Sequence, residues 1–289
     1  MVIAVFGANG QVGRTIKDMA DNYPQYQFLF TDIDTLDITK YNEVADFVCN
    51  NYPKVFINCA AYTAVDMAEK DKREAKAANA DAVTNLARIA AEHNIFLVHL
   101  STDYIYDGTQ HKPYKETDNV HPLSMYAKTK WKGDVAVMKS LCRAVIIRTS
   151  WLYSEYGTNF VKTMLRMGRE QDLINVVFDQ IGTPTYARDL AKTIMMIIAQ
   201  REKIPTMEIL HYSNEGVTSW YDFAIEIMQI GKRSCKVLPI NTIPNQTPAK
   251  RPMYAVLDKQ KIKQTFNIEI PHWKESLRRC IANLEASRV

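Results

Sequence analysis

Short runs of nearly continuous apolar residues mark the first half of the chain: Val2–Phe6, Gln27–Thr31, Val55–Cys59, Phe96–Ser101 and Ala144–Thr149. A half-exposed strand would alternate apolar with polar, so these runs predict strands covered on both faces. Between them, apolar residues recur every three or four positions over Gln11–Ala20, Lys40–Asn50, Asp81–Glu92 and Ser124–Met138, which predicts helices. Strand and helix in turn imply βαβ units, and right-handed crossovers make of them an α/β, Rossmann-type, doubly wound parallel sheet. Ligands then lie at the carboxyl ends of the strands. After Thr149 the rhythm loosens. Helices are predicted over Asn159–Gly168, Ala187–Gln200, Ser219–Gly231 and His272–Leu284, a strand over Met207–Tyr212, and an ordered loop over the proline-rich Pro239–Pro252. Residues 1–150 read as a dinucleotide-binding domain and 151–289 as a smaller, mostly C-terminal substrate-binding lobe. That boundary is soft, because a strand at Met207–Tyr212 is free to return to the main sheet.

Composition narrows the classes. At 289 residues and 47% hydrophobic the chain can bury a large core. A net charge of +4 without a dense basic block points away from nucleic acid. Lys70–Lys76 mixes both signs and reads as a solvated helix face. The five cysteines form no Cys-x-x-Cys pair, and the six histidines show no metal-ligand spacing. No apolar stretch approaches the ~20 residues of a membrane helix. A cytoplasmic protein with reduced thiols, no resident metal and no membrane partner is expected.

Strand one runs into Gly7-Ala8-Asn9-Gly10-Gln11-Val12-Gly13, and these seven positions hold three of the ten glycines in the chain. Glycine here permits a tight turn, approach of backbone N–H groups to a pyrophosphate, and close packing of helix on strand. The spacing is Gly-x-x-Gly-x-x-Gly, and its place between a strand and a helix favours a dinucleotide over an ordinary turn. Asp32 ends strand two, where an acid can accept hydrogen bonds from ribose hydroxyls.

Tyr126 and Lys130 lie four apart in a predicted helix, hence on one face. Chance alone supplies about one such pair in a chain this rich in both residues. The pair gains weight by following a βαβαβ half that opens with a phosphate loop. Strand four ends in Ser101-Thr102-Asp103, where a hydroxyl can hydrogen-bond a substrate carbonyl. Taken alone, Thr102 reads as a strand-end cap; beside Tyr126 and Lys130 it reads as functional.

These residues resemble the extended short-chain dehydrogenase/reductase family, and within it the branch that reduces dTDP-4-dehydrorhamnose. The resemblance covers nearly the whole chain and includes the glycine loop, Ile57-Asn58-Cys59-Ala60-Ala61-Tyr62-Thr63-Ala64-Val65-Asp66, Ser101-Thr102-Asp103-Tyr104-Ile105-Tyr106-Asp107-Gly108 and Arg148-Thr149-Ser150-Trp151-Leu152-Tyr153. It continues through Gly157-Thr158-Asn159-Phe160, Asp179-Gln180-Ile181-Gly182-Thr183-Pro184-Thr185, Arg251-Pro252 and Trp273. It implies that Thr102, Tyr126 and Lys130 carry the chemistry. Gly7, Gly10, Gln11, Val12, Gly13 and Asp32 would hold the phosphates and ribose of NADPH or NADH, and Asp37 and Ile38 would flank its adenine. Ala60, Ala61, Tyr62 and Asn79 would line the cofactor further along, with Tyr126 and Lys130 at its nicotinamide end. Thr63, Thr102, Tyr104, Tyr126, Trp151 and Asn159 would touch the sugar. The implied reaction is reduction of the C4 ketone of dTDP-4-dehydro-L-rhamnose, the last step of dTDP-L-rhamnose synthesis.

Two departures stand out. Relatives that dimerise around magnesium carry glutamates where this chain reads Arg14-Thr15 and Arg188-Asp189, so a monomer or a metal-independent homodimer is expected. The usual Tyr-Gly-x-Ser-Lys reads Tyr126-Ala127-Lys128-Thr129-Lys130. Related dehydratases place an Asp-Glu pair after the strand-four threonine; here Asp103 is followed by Tyr104, which favours simple reduction. Another sugar-nucleotide reductase or epimerase, or a non-catalytic regulatory subunit of the same fold, is the alternative.

Overall fold

The computed structural model describes residues 1–243 and 246–286. Pro244, inside the stretch expected to form an ordered loop, lies outside the described residues, as do the last three residues of the 151–289 lobe. The first half runs β1 (Val2–Phe6), α1 (Gln11–Met19), β2 (Gln27–Thr31), α2 (Tyr41–Asn51), β3 (Val55–Asn58), α3 (Lys72–Lys76), α4 (Ala82–Glu92), β4 (Phe96–Thr102), α5 (Met125–Lys139) and β5 (Ala144–Thr149). One π-helical turn, Ala77–Asp81, joins α3 to α4. The second half runs β6 (Leu152–Tyr153), α6 (Phe160–Glu170), β7 (Leu173–Val177), β8 (Ile181–Gly182), β9 (Thr185–Tyr186), α7 (Ala187–Ala199), β10 (Met207–Tyr212), β11 (Thr218–Ser219), α8 (Trp220–Ile230), β12 (Lys236–Ile240), α9 (Gln260–Phe266) and α10 (Trp273–Ala286).

Six parallel strands form the main sheet in the order β10-β5-β4-β3-β1-β2. The chain steps outward from β1 to β2, then returns past β1 to β3. The loops after β1 and β3 therefore diverge and leave a crevice at their carboxyl ends. Ile3, Val5, Ile57 and Val98 meet α1, α7 and α9 on one face. Ala4, Phe56, Leu97 and Ile146 meet α2, α4 and α5 on the other. This two-sided cover is why the strands read as unbroken apolar runs. A separate core, with Val161, Ile174, Phe223, Val237, Leu277 and Ile281, belongs to the second half.

The strand at Met207–Tyr212 does return to the main sheet, pairing with β5. Three helices begin one residue later than expected, because the residue predicted to start each is its cap. The side chains of Ser124, Asn159 and Ser219 accept the backbone N–H of Ala127, Lys162 and Asp222. The short strands of the second half carried no usable pattern. Four are two residues long, and β7 has alternate residues exposed.

Asp189 at the start of α7 ties the halves together. Its carboxylate accepts from Arg279 at 2.7 and 2.8 Å, from Ser276 at 2.6 Å and from Asn214 at 3.0 Å. The carboxylate is buried while Arg279 is partly solvated, so the loss on removing it is smaller than for a sealed pair. Asp189→Ala is expected to lower unfolding stability by about 2–3 kcal/mol. Equilibrium denaturation checks this, and a change below about 0.5 kcal/mol would contradict it.

Candidate active site

Gly7 adopts φ +76°, and a Cβ there would stand 2.5 Å from the Ala60 nitrogen. A Cβ on Gly13 would come within 2.3 Å of the Gly7 carbonyl oxygen. Both are therefore fixed by close approach, as expected for the turn and the helix–strand contact. Gly10 differs: a Cβ there would meet only the Gly7 oxygen, at 3.3 Å, and the residue borders two adjoining cavities. It caps α1 without a side chain of its own. The first N–H groups of that helix have no partner within the helix and carry its positive end, which suits a pyrophosphate.

One cavity, of about 380 Å³, is lined by Gly7, Gly10, Asp32, Asp37, Ile38, Ala60, Ala61 and Tyr62, among others. Asp32 is anchored there by the backbone N–H groups of Asn9 at 2.7 Å and Ile33 at 2.8 Å. The fit to an adenosine and its pyrophosphate is that of a carboxylate, a glycine cradle and apolar walls. The other cavity, of about 600 Å³, holds Thr102, Tyr126 and Lys130 together with Gln11, Val12, Thr63, Tyr104 and Trp151. The two cavities share Gly10, Cys59 and Ala61, so a ligand can pass from one to the other.

Tyr126, Lys130 and Asp134 follow one another at four-residue spacing on α5 and face β4. Lys130 Nζ donates to the Leu100 carbonyl at 2.7 Å and is almost wholly buried. Burial lowers its pKa to about 8, with Asp134 opposing the fall. Asp134 is itself fully buried, and its Oδ2 lies 3.4 Å from Arg148 Nε. Burial raises that carboxyl, and Arg148 opposes the rise. Arg148 continues to the Tyr106 hydroxyl at 2.8 Å, and Tyr106 to His211 Nε2 at 2.8 Å. His99 stands 3.6 Å from Asp134 Oδ1 and is held neutral by burial.

The Tyr126 hydroxyl lies beside Thr102 in the same cavity. Burial pushes its pKa up to about 12, countered in part by Thr102. Burial therefore keeps the phenol protonated near neutral pH. A protonated phenol is the form that can give a proton.

Two predicted residues sit behind the walls. Asn79, in the π-helical turn, is fully buried and exchanges hydrogen bonds with the backbone of Tyr62, accepting from its N–H at 2.8 Å and donating to its carbonyl at 3.1 Å. It shapes the loop, while its neighbour Ala78 reaches the cavity. Asn159 caps α6 and donates to Gln11 Oε1 at 3.0 Å, so it joins the phosphate loop to the second half, and Gly157 and Thr158 take the wall. Gly13 serves by packing.

Sequence reasoning missed Trp220. Its ring stacks on Trp151 at 3.6 Å and 9°, and it borders both the catalytic cavity and a further one of about 360 Å³ that includes Phe160, Gln180, Thr242 and Arg251. No spacing signal marks Trp220, since the stack joins residues from distant segments. Trp151 is held at φ +43°, rare for a bulky residue, with its ring edge where a Cβ on Gly182 would come within 2.6 Å. Arg251 clamps Asp66 at 2.6 and 3.2 Å and lies beside Tyr104. Arg188 pairs with Asp18, tying α7 to α1. Among the described residues no group of three or more His, Cys, Asp or Glu is placed to hold a metal ion, and no helix is long and apolar enough to cross a membrane.

Residues 1–286 match the family model described as the RmlD substrate binding domain. A dTDP-4-dehydrorhamnose reductase from Aggregatibacter actinomycetemcomitans is 40% identical, over 98% of this chain and 99% of its own. Among solved structures, a dTDP-4-dehydrorhamnose reductase from Clostridium acetobutylicum is similar with a TM-score of 0.93 and 39% identity, covering 99% of this chain and 100% of that one. The Bacillus anthracis dTDP-4-dehydrorhamnose reductase, solved in complex with NADP, has a TM-score of 0.93 and 35% identity, covering 98% and 99%.

The geometry of the cradle separates folding from binding. Gly10→Ala is expected to melt within about 2 °C of the parent yet bind dinucleotide at least about tenfold more weakly, because the added methyl stands where the pyrophosphate must approach. Gly7→Ala is expected to lose both. Thermal melts and a fluorescence titration decide it; unchanged binding by Gly10→Ala would remove the pyrophosphate from this loop.

Proposed function

The chain belongs to the family of the RmlD substrate binding domain, shared with the dTDP-4-dehydrorhamnose reductases, and on that footing we propose that it reduces the C4 ketone of dTDP-4-dehydro-L-rhamnose with NADPH or NADH. It is an oxidoreductase of dTDP-L-rhamnose synthesis, and the product is dTDP-L-rhamnose. The observation that carries this reading is the meeting of Thr102, Tyr126 and Lys130 in one cavity that opens onto the Gly10 cradle.

The nicotinamide supplies hydride, and the chain's own residues do the rest. Hydride arriving at C4 leaves negative charge on the carbonyl oxygen. Tyr126, protonated at neutral pH, gives its phenolic proton to that oxygen. Thr102 orients the carbonyl by donating a hydrogen bond. Lys130, still an ammonium below about pH 8, holds the cofactor's ribose and offsets the phenolate left behind. Thr63, Tyr104 and Trp151 enclose the sugar. The thymidine diphosphate end extends past Trp220 toward Arg251, Gln180 and Thr242. Residues 1–150 hold the cofactor, and residues 151–289 supply most of the sugar-nucleotide wall. The reaction needs no metal, since Tyr126 neutralises the oxyanion.

Purified protein is expected to consume nicotinamide absorbance when given the 4-keto sugar nucleotide. Tyr126→Phe keeps the ring and removes the proton, so kcat is expected to fall roughly 10²–10⁴-fold with cofactor affinity nearly unchanged. Wild-type turnover by a folded Tyr126→Phe would overturn the mechanism and favour a non-catalytic role.

Asp32 bears on cofactor choice. Its fixed carboxylate suits a free 2′-hydroxyl and repels a 2′-phosphate, and positions 33–36 hold no Arg or Lys. Efficiency with NADH is expected within about tenfold of that with NADPH, or ~1.4 kcal/mol. Comparing kcat/KM for the two checks this; a preference for NADPH beyond about a thousandfold would show that the charge of Asp32 does not govern the choice.

A further inference from the structure

Thr102 has one hydroxyl proton and three neighbours. Its oxygen accepts the Tyr104 N–H at 3.2 Å, lies 3.1 Å from Asp103 Oδ1, and shares the cavity with the neighbouring Tyr126 hydroxyl. Asp103 is 2% exposed on the wall of the catalytic cavity, and its other oxygen, Oδ2, is buried with no hydrogen-bond partner. It forms no ion pair among the described residues. A buried carboxyl left this way is costly as an anion.

The proton inventory has two states. An ionised Asp103 can only accept, so it takes the single Thr102 proton. The Thr102 oxygen is then left to accept from Tyr104 N–H and from the Tyr126 hydroxyl. Both protons that the ketone needs point away from it, and a second negative charge stands beside the forming alkoxide. A protonated Asp103 instead donates to the Thr102 oxygen. The Tyr104 N–H and the Asp103 O–H together fill its lone pairs, the Thr102 proton turns into the cavity, and Tyr126 is free to donate to the substrate.

We propose that Asp103 is a positioning residue that acts as a neutral acid, its proton aiming the Thr102 and Tyr126 hydroxyls at the substrate carbonyl. This rests on the roles given above to Thr102 and Tyr126. The Asp103 proton stays between Asp103 and Thr102 throughout; the bonds formed are only the C4–H and O–H of the reduction. The surroundings fit. The titratable groups on the packed elements are Tyr126, Lys130 and Asp134 from α5, His99 from β4, Tyr104 from the adjoining turn, and the Asp66–Arg251 pair beside Tyr104. Both cations are held elsewhere, Lys130 on the Leu100 carbonyl and Arg251 on Asp66. Burial lifts Asp103 to about 7, against the hydrogen bonds that favour its anion.

The test is hydride transfer in a single turnover, followed against pH. For the wild type the rate constant is expected to fall about fivefold to tenfold from pH 6 to pH 8, as one proton is lost. In Asp103→Asn the amide N–H replaces the acid's donor and cannot ionise. Its inflection near neutrality is expected to vanish, leaving only the loss that accompanies Lys130 at higher pH. In Asp103→Leu, which has no donor, the rate is expected to drop across the whole range. A wild-type rate that holds from pH 6 to 8 would overturn the proposal without any variant. So would an Asp103→Asn protein that keeps the inflection. If Tyr126→Phe also retains turnover, the assignment of the site itself fails. If Tyr126→Phe collapses while Asp103→Asn keeps the inflection, only the role of Asp103 fails.

Discussion

Helix α5 carries Tyr126, Lys130 and Asp134 into the interior, and the cost of burying three ionisable groups on one face organises the site around them. A buried ammonium must be hydrogen-bonded and balanced. The Leu100 carbonyl supplies the bond and Asp134 the opposing charge. Asp134 in turn needs Arg148, which continues through Tyr106 to His211 on β10. The carboxyl end of β4 thus faces the active cavity on one side and a chain of buried polar groups on the other. The position of β10 matters for this reason. A strand from the second half closes the sheet and supplies the far end of the network that supports Lys130.

The same logic explains how the two halves of the chain stay in register. Gln11 follows the glycine loop, yet its side-chain oxygen is bonded by Ser154 at 2.9 Å and Asn159 at 3.0 Å, both beyond β5. The glycine loop is therefore tied directly to the segment that follows β5. Asp189 and the Arg188–Asp18 pair fasten α7 to α10 and to α1. Trp220, stacked on Trp151 in its left-handed conformation, borders both the catalytic cavity and the outer one.

Much of this was legible in the sequence where a single periodicity or a backbone requirement governed. Four of the five strands of the first half are apolar on both faces because helices cover both, while the edge strand β2 stays partly exposed. The glycine loop is visible because close approaches at Gly7 and Gly13 leave no room for Cβ atoms. The Tyr126–Lys130 spacing puts both on one helix face whatever surrounds it. What was not legible depends on contacts between distant segments. Trp220 meets Trp151 only after folding, and the two-residue strands owe their pairing to the second half as a whole. Asn79 and Asn159 look like site residues along the chain, but their side chains are consumed by the backbone of Tyr62 and the cap of α6. Asp103 looked like a mere neighbour of Thr102. Its burial without an ion pair is a fact of three dimensions.

The central claim is that the Gly10 cradle and the Thr102–Tyr126–Lys130 cavity work as one site for hydride delivery to a sugar-nucleotide ketone. The direct measurement is to supply reduced nicotinamide carrying deuterium at the transferable position, together with the 4-keto sugar nucleotide, and to locate the label in the product. The account predicts one deuterium at C4 of the deoxysugar for each cofactor oxidised. Cofactor left unconsumed, or product without label at C4, would contradict it.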